Sequence, residues 1–279
     1  MATLAEYRQR EHWSYSALNQ FLNICSLQFY FDRIAKLPRA FTPVSLSFGN
    51  AFHRVCEYVS MIRIEGKQPK KAEATNLFGD LWSRQVQEDK DLKFDKDENS
   101  NSCSKRGRDM IGCLVDNIDP EEQVIAVNEA FCVPIVDADG IALEKPLIGE
   151  IDTIVSKAGR KSLVDWKTAA NRWAKDKAGK DLQPTCFTYA YLQLHGELAS
   201  FRFDVIVKKK TPIIERHLTE RNQDHFDRMV ALIQMVEKAI AAECFLPNEQ
   251  SFYCSGCGHQ AACKAWHRDS AKVNVRMAA

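Results

Sequence analysis

The sequence has no strong charge of one sign and no long apolar run. Its 279 residues carry 38 Lys and Arg against 37 Asp and Glu, a formal net charge of +1. Such a balance gives no global attraction to nucleic acid, so any DNA contact must come from local patches. No window approaches the roughly 20 apolar residues that span a bilayer, and the stretch MATLAEYRQREHW is too charged for a secretory signal. We therefore expect a soluble, cytoplasmic protein without membrane contact.

The sequence also lacks internal repeats and a G-x-x-x-x-G-K-S/T phosphate loop. The missing loop excludes an attached P-loop motor domain, so we expect the chain to act alone or as a subunit of a larger machine. Its 45% hydrophobic and 27% charged residues are typical of a globular protein of one large domain. The polar stretch 88–109 is expected to form a long exposed loop.

Hydrophobic spacing predicts helices toward both ends of the chain and short strands in its middle. The predicted helices cover about 14–34, 49–64, 71–87, 106–117, 181–198 and 222–244. The predicted strands cover 123–136, 145–155, 161–169 and 200–209. This order indicates an α/β fold with a mixed central sheet flanked by helices, plus an N-terminal helical layer.

One predicted β-hairpin brings two carboxylates and a lysine together. With Ala158-Gly159 at its turn, paired residues have numbers that add up to 317, which places Asp152 opposite Asp165. Asp165 and Lys167 share one face because strand side chains alternate. Like charges directly opposite each other destabilise a sheet, unless a cation such as Mg²⁺ or Mn²⁺ lies between them. The alternative is an exposed surface pair of Asp165 and Lys167.

The segments GEIDTIV and LVDWKT resemble the motif of the PD-(D/E)xK nucleases, in the RecB-like branch with CRISPR-associated and helicase-associated exonucleases. SYSALNQFLNICSLQFYFDRI and GNAFHRVCEYV resemble further segments of that family, and the likeness extends from about Ser14 to Trp266. The resemblance implies a restriction-endonuclease-like core. It also implies catalytic roles for four residues, Asp152, Asp165, Lys167 and Gln183.

The sequence departs from the family pattern in two places. The resemblance nevertheless implies a metal site. Gly149 and Asp152 replace the nominal Pro-Asp pair, and Phe187 stands where the family has a tyrosine, although Tyr189 and Tyr191 lie close by. The Mg²⁺ or Mn²⁺ ligands implied by the resemblance are His53, Asp152, Asp165 and the carbonyl of Trp166.

The function implied by the resemblance is metal-dependent hydrolysis of DNA phosphodiester bonds. The expected enzyme is a single-stranded DNA exonuclease acting in DNA repair, recombination or CRISPR adaptation. Its expected partners are DNA, single-stranded or with free ends, and proteins of a recombination or CRISPR complex. Local basic segments at 104–108, 157–161 and 208–210 are candidates for the DNA path. The alternative is a nucleic-acid-binding or scaffold subunit of a larger DNA-processing complex.

The chain has ten cysteines, and three of them, Cys254, Cys257 and Cys263, have C-x2-C-x5-C spacing. Two cysteines separated by two residues can chelate one metal centre, and the resemblance implies Cys25 as the fourth ligand of a 4Fe–4S cluster. Structural Zn²⁺ is the alternative, with His259 or His267 available to replace a cysteine. This four-cysteine centre is expected to tie an N-terminal helical region, 1–120, and a nuclease core, 121–245, to a C-terminal segment, 246–279, in one unit.

Overall fold

The computed structural model describes residues 3–277, with side chains described as far as residue 268. The outer ends of the predicted segments 1–120 and 246–279 therefore lie outside the described residues. The N-terminal layer consists of α1 (Leu4–Tyr7), α2 (Tyr15–Asn19), a π-helical turn (Gln20–Ile24), α3 (Ser26–Phe29) and a second π-helical turn (Tyr30–Ile34).

The helical segment predicted over 14–34 is interrupted at Cys25, and the end of a helix at this cysteine agrees with the family resemblance. Cys25 is extended, with φ −173° and ψ 117°, and its sulfur accepts the backbone N–H of Gln28 at 3.4 Å. The cysteine therefore ends one helical segment and caps the next. The predicted start is confirmed: Ser14 caps α2 by accepting the N–H of Ala17 at 3.3 Å.

Three longer helices form the next layer. They are α4 (Val44–Ile64), α5 (Lys71–Glu88) and α6 (Ser100–Asp116), accompanied by the short parallel strands β1 (Thr42–Pro43) and β2 (Leu92–Lys93). α4 begins before the predicted residue 49, directly after Pro43, whose fixed φ suits the residue before a helix.

The prediction of a loop over 88–109 is wrong from residue 100 onward, where α6 begins. The side chains of Asn99 and Ser102 each accept the backbone N–H of the other, which fixes this helix start. The polar residues from position 100 onward, which suggested a loop, lie on the solvent-exposed face of α6. Its buried face consists of Cys103, Gly107, Met110, Ile111, Gly112 and Leu114.

A five-stranded sheet lies at the centre. Its strands are β3 (Gln123–Val133), β4 (Leu147–Lys157), β5 (Arg160–Ala169), β6 (Ser200–Val207) and β7 (Ile213–Thr219), paired in that order. Only β5 and β6 pair in parallel, so the predicted mixed sheet is confirmed. The edge strand β7 was missed by sequence reasoning.

The hairpin register is confirmed. Thr153 pairs with Val164, so the partner numbers add up to 317. Ala158 and Gly159 have φ of 50° and 76°, the left-handed conformation that a two-residue hairpin turn requires at both positions.

The remaining helices follow the hairpin. They are α7 (Lys177–Lys180), α8 (Gln183–His195), α9 (Gln223–Ala241) and α10 (Gln260–Met277). α8 connects the parallel strands β5 and β6 as predicted, and it ends at Gly196, whose φ of 70° is typical of a helix C-terminus. α9 agrees with the predicted amphipathic helix and is capped by Asn222.

Each face of the sheet packs into its own apolar core. Leu163 and Phe203 face the core shared with α8, α9 and the N-terminal layer. Val164, Trp166 and Ile206 face the core shared with α4, α5 and α6. Because strand side chains alternate, Trp166 lies on the opposite face of β5 from Asp165. No helix in the described part of the chain is long and apolar enough to cross a membrane.

Candidate active site at the end of the β4–β5 hairpin

The two predicted carboxylates lie where the pairing of β4 with β5 ends. The last paired residues are Thr153 and Val164, and Asp152 and Asp165 are the next residue on each strand. The backbone N–H of Trp166 donates to Oδ2 of Asp152 at 3.4 Å. The sheet therefore brings both acids to one point, as the register predicted.

Asp165 is buried and held from two sides. Its exposed fraction is 4%, and its Oδ1 accepts the Nε2–H of Gln183 at 2.5 Å. Its Oδ2 lies 2.6 Å from Nζ of Lys167. Burial raises the pKa of Asp165, against the opposing effect of Lys167. Burial acts to lower the pKa of Lys167, but Asp165 outweighs it and the pKa is raised, so Lys167 is an ammonium group at neutral pH.

His53 reaches the same point from α4. Its Nδ1 lies 3.2 Å from Oδ2 of Asp152. Burial acts to lower the pKa of His53, but the hydrogen bond and charge of Asp152 raise it. A cavity of about 140 Å³ opens beside this pair, and it is lined by His53, Arg54, Glu57, Asn128, Glu150, Asp152, Thr153 and Trp166. Burial, Asp152 and Glu57 together raise the pKa of Glu150.

These donors have the chemistry of a Mg²⁺ or Mn²⁺ site. Within the described residues, no group of three or more His, Cys, Asp or Glu side chains has the arrangement of a metal site. Asp152 lies against His53, and Asp165 lies against Lys167. The buried Oε1 of Gln183 accepts no hydrogen bond from the described residues, and Oδ2 of Asp165 has the ammonium of Lys167 beside it. Carboxylate and amide oxygens beside an imidazole suit a hard divalent cation. Trp166 packs its indole in the opposite core.

Sequence reasoning missed three residues near this point. Tyr15 is half-buried, and burial and the charge of Asp181 raise the pKa of its hydroxyl; the same charge acts to raise the pKa of Lys167. Asn128 lines the cavity with a φ of 53°, a strained conformation for a non-glycine residue within a strand. The polar Asn128 within β3 was the one available signal. Tyr15 and Asp181 are 166 positions apart in the sequence, and no local pattern connects them.

The aromatic residues of α8 point elsewhere. The ring of Phe187 packs edge-on against Phe131 and Phe201, with centroid distances of 5.4 and 6.0 Å. The hydroxyl of Tyr189 donates to the carbonyl of Pro134 at 3.0 Å, and that of Tyr191 interacts with Glu197. Neither hydroxyl replaces a tyrosine at position 187.

The four candidate cluster cysteines line one cavity of about 250 Å³, together with residues of the N-terminal layer and of α10. The sulfur of Cys25 accepts the N–H groups of Gln28 and Asn248, each at 3.4 Å. Burial, Cys25 and Cys254 raise the pKa of the Cys257 thiol, since these groups lie close together.

The metal centre at these cysteines remains a prediction, because no metal-binding group is present within residues 3–268. The four cysteines share one cavity, and two backbone N–H groups donate to the sulfur of Cys25, but the described sulfurs do not have the arrangement of a metal site. Nε2 of His259 lies 2.8 Å from Oδ1 of Asp32, so only its Nδ1 would be available to a metal. His267 is exposed on α10 and does not line the cavity.

The basic segments are largely occupied by contacts within the chain. Arg106 pairs with Glu98, Lys157 with Asp119, and Lys161 with Glu197. Lys208 lies over the ring of Phe48 at 4.6 Å. These contacts weaken the case for a DNA path along them.

Comparison with known proteins identifies the family. The chain resembles a protein from Eubacterium rectale described as a "putative exonuclease", with 14% identity, a TM-score of 0.56, and coverage of 92% of this chain and 93% of that one. The structure of SSO0001 matches with 11% identity, a TM-score of 0.38, and coverage of 90% and 95%. A search of curated proteins gave no significant match. The sequence pattern of the PD-(D/E)XK nuclease superfamily matches residues 12–264, and the chain belongs to that superfamily.

Proposed function

We propose that the chain is a metal-dependent deoxyribonuclease of the RecB-like type that removes nucleotides from ends of single-stranded DNA. The observation that carries this proposal is the buried Asp165, which contacts Lys167 and Gln183 beside Asp152 at the end of the hairpin. The description of the Eubacterium rectale protein as a "putative exonuclease" supports the choice of exonuclease. DNA repair, recombination and CRISPR adaptation are the pathways in which such an enzyme acts.

In this proposal His53, Asp152, Asp165 and the Trp166 carbonyl hold Mg²⁺ or Mn²⁺. The bound ion supplies Lewis-acid polarisation of the phosphate and an acidified water. Gln183 holds Oδ1 of Asp165 and so fixes the direction of the carboxylate. The ammonium of Lys167 stabilises negative charge that develops on the phosphate. A four-cysteine 4Fe–4S centre, with Zn²⁺ as the alternative, holds the N-terminal layer against α10.

The test is degradation of end-labelled single-stranded DNA with Mg²⁺ or Mn²⁺. Asp165→Asn and Lys167→Ala are expected to reduce the rate by about 100-fold or more, because each removes a charge from the reacting centre. Lys161→Ala is the matched control: Lys161 lies on β5 at the far end, where it pairs with Glu197. Circular single-stranded DNA is expected to resist the enzyme.

Two results would contradict the proposal. The first is cutting by wild type that EDTA and Asp165→Asn leave unchanged. The second is tight DNA binding without any metal-dependent cutting, which supports the alternative of a nucleic-acid-binding or scaffold subunit.

A further inference from the structure

The segment 170–182, which we call the β5–α8 linker, joins the two side chains that hold Asp165. It begins directly after β5, which carries Lys167, and it ends directly before Gln183, the first residue of α8. Nζ of Lys167 lies 2.6 Å from one oxygen of Asp165, and the side-chain amide of Gln183 donates to the other at 2.5 Å. The linker therefore leaves the hairpin site and returns to it.

The second half of the linker has a fixed backbone. The buried guanidinium of Arg221 donates to three linker carbonyls, those of Ala178, Gly179 and Asp181, at 3.0, 3.3 and 3.1 Å. The side chain of Ala178 is itself buried. The short helix α7 is therefore held against the body of the chain.

The first half of the linker is held by one aromatic side chain. The ring of Trp173 packs edge-on against Phe203 of β6, with centroids 5.0 Å apart, and lies 5.6 Å from the ring of His217. Its backbone N–H donates to Glu215 of β7 at 3.4 Å. Nζ of Lys167 lies 5.8 Å from the centre of the same Phe203 ring. One phenylalanine thus connects Trp173 to the ammonium group of the hairpin site.

The linker carries more positive than negative charge, and its cations are exposed. They are Arg172, Lys175, Lys177 and Lys180, against the two acids Asp176 and Asp181. Nζ of Lys177 lies 4.0 Å from the centre of the Trp173 ring. Two rings, those of Trp173 and Phe203, therefore separate the ammonium of Lys177 from that of Lys167.

The linker cations are more open to solvent than those of the basic segments predicted from the sequence. Nε of Arg172 lies 3.2 Å from Glu215, and Lys180 pairs with Asp176, but the side chains of these two cations are 63% and 77% exposed. Those of Arg106, Lys157 and Lys161 are 32%, 47% and 37% exposed. Because exposed ion pairs contribute little free energy, a phosphate can replace the carboxylate at Arg172 and Lys180.

We propose that the β5–α8 linker is a docking surface for the phosphates of single-stranded DNA, which guides the strand to the hairpin site. Its exposed cations supply the charge that the balanced chain as a whole does not have. Arg221 and Trp173 fix the backbone that carries them, so little conformational entropy is lost when a strand binds. The choice of DNA as the partner rests on the proposed function.

The test is binding of a labelled single-stranded oligonucleotide to Asp165→Asn protein with Mg²⁺, measured by fluorescence anisotropy at a series of salt concentrations. The linker variant combines Arg172→Ala, Lys175→Ala and Lys180→Ala. All three side chains are exposed, so the melting temperature is expected to stay unchanged. We expect binding to weaken by about 10-fold or more. The slope of log affinity against log salt concentration should fall by about 2, since each phosphate contact contributes about 0.7 on a single strand.

Lys67→Ala, Lys70→Ala and Lys71→Ala together are the matched control. They remove the same charge from exposed lysines that also pair with acids, at the connection of α4 with α5. This control variant is expected to keep the affinity and the salt slope of the parent chain. An unchanged slope in the linker variant, or an equal decrease in both variants, overturns the inference.

Digestion of the same oligonucleotide with Mn²⁺ separates this inference from the proposed function. With Asp165 intact, the linker variant is expected to raise KM by about 10-fold and to leave kcat within about twofold, because it removes binding shared by the ground and transition states. A lower kcat with unchanged KM contradicts a docking role. A chain that binds DNA through the linker and never cuts it overturns the proposed function and leaves the docking surface in place.

Discussion

Asp32 is the residue at which a change of pH has the clearest expected effect on stability. Burial acts to raise its pKa, but Arg39, His259 and Gln20 together lower it to about 2. The folded-state pKa therefore lies below the usual 3.8, and the charged carboxylate stabilises the fold. This contribution is present above about pH 4 and is lost as the pH falls toward 2; the shift corresponds to about 2 kcal/mol.

Asp32→Asn is expected to lower the free energy of unfolding at pH 7 by about that amount, and the difference from wild type should shrink below about pH 4. Urea unfolding followed by tryptophan fluorescence measures both. Asp176→Asn is the control, since Asp176 is an exposed carboxylate paired with Lys180. A constant difference from pH 7 to pH 3 would contradict the assignment of the effect to the Asp32 charge.

The residues of the site were predictable to different degrees for a physical reason. Strand alternation and one turn were enough to place Asp152, Asp165 and Lys167, because all three lie within a single hairpin. Tyr15 and Asp181 could not be found in this way. The influence of Asp181 on Tyr15 depends on how the N-terminal layer packs against the start of α8, which no local pattern encodes.

Two helical glycines differ in how closely other elements pack against them. A Cβ at Gly107 of α6 would lie 1.9 Å from the ring of Phe78 on α5, whereas a Cβ at Gly49 of α4 meets no atom within 4 Å among the described residues. Gly107→Ala is expected to destabilise the chain by about 1–3 kcal/mol through overpacking. Gly49→Ala is expected to stabilise it by about 0.5–1 kcal/mol, because alanine favours helix.

Urea unfolding of both glycine variants, with activity as a check on the native state, tests this pair. The two substitutions are expected to change the free energy of unfolding in opposite directions, so a general destabilisation by mutation cannot explain both. Tolerance of Gly107→Ala would show that the packing of α5 on α6 differs from that described, and destabilisation by Gly49→Ala would show that the space beside Gly49 of α4 does.

Elements with a strong hydrophobic periodicity were predictable from the sequence. Elements that depend on a single side chain or on an exposed sheet edge were not. α9 has an amphipathic face and an Asn222 cap, so its limits were predicted to within three residues. The helical segment predicted over 14–34 is interrupted at Cys25. There the side chain caps the next helix and ends the segment, and hydrophobic spacing does not indicate this. β7 was missed because alternate residues face solvent at the edge of the sheet and its apolar content is low.

At the scale of the whole molecule, both ends of the described chain meet on one side of the sheet. The N–H of Leu27 donates to the carbonyl of Leu246 at 3.1 Å, and the side chain of Asn248 donates to Ile24 at 3.1 Å. These few polar contacts join segments more than 200 positions apart. Anything that stabilises this junction therefore holds the N-terminal layer against the C-terminal segment.

The proposed four-cysteine centre is the strongest candidate for that stabilisation, and it makes the last prediction. Chain purified without oxygen is expected to absorb broadly in the violet and to contain about four irons per chain. Cys254→Ser should remove the colour and lower the melting temperature, since the metal closes a loop between distant segments. Cys113→Ser, whose sulfur contacts Pro212 instead, should change neither. Colourless protein with one bound zinc supports the zinc alternative, and metal-free protein as stable as the Cys254→Ser variant excludes a centre at these cysteines.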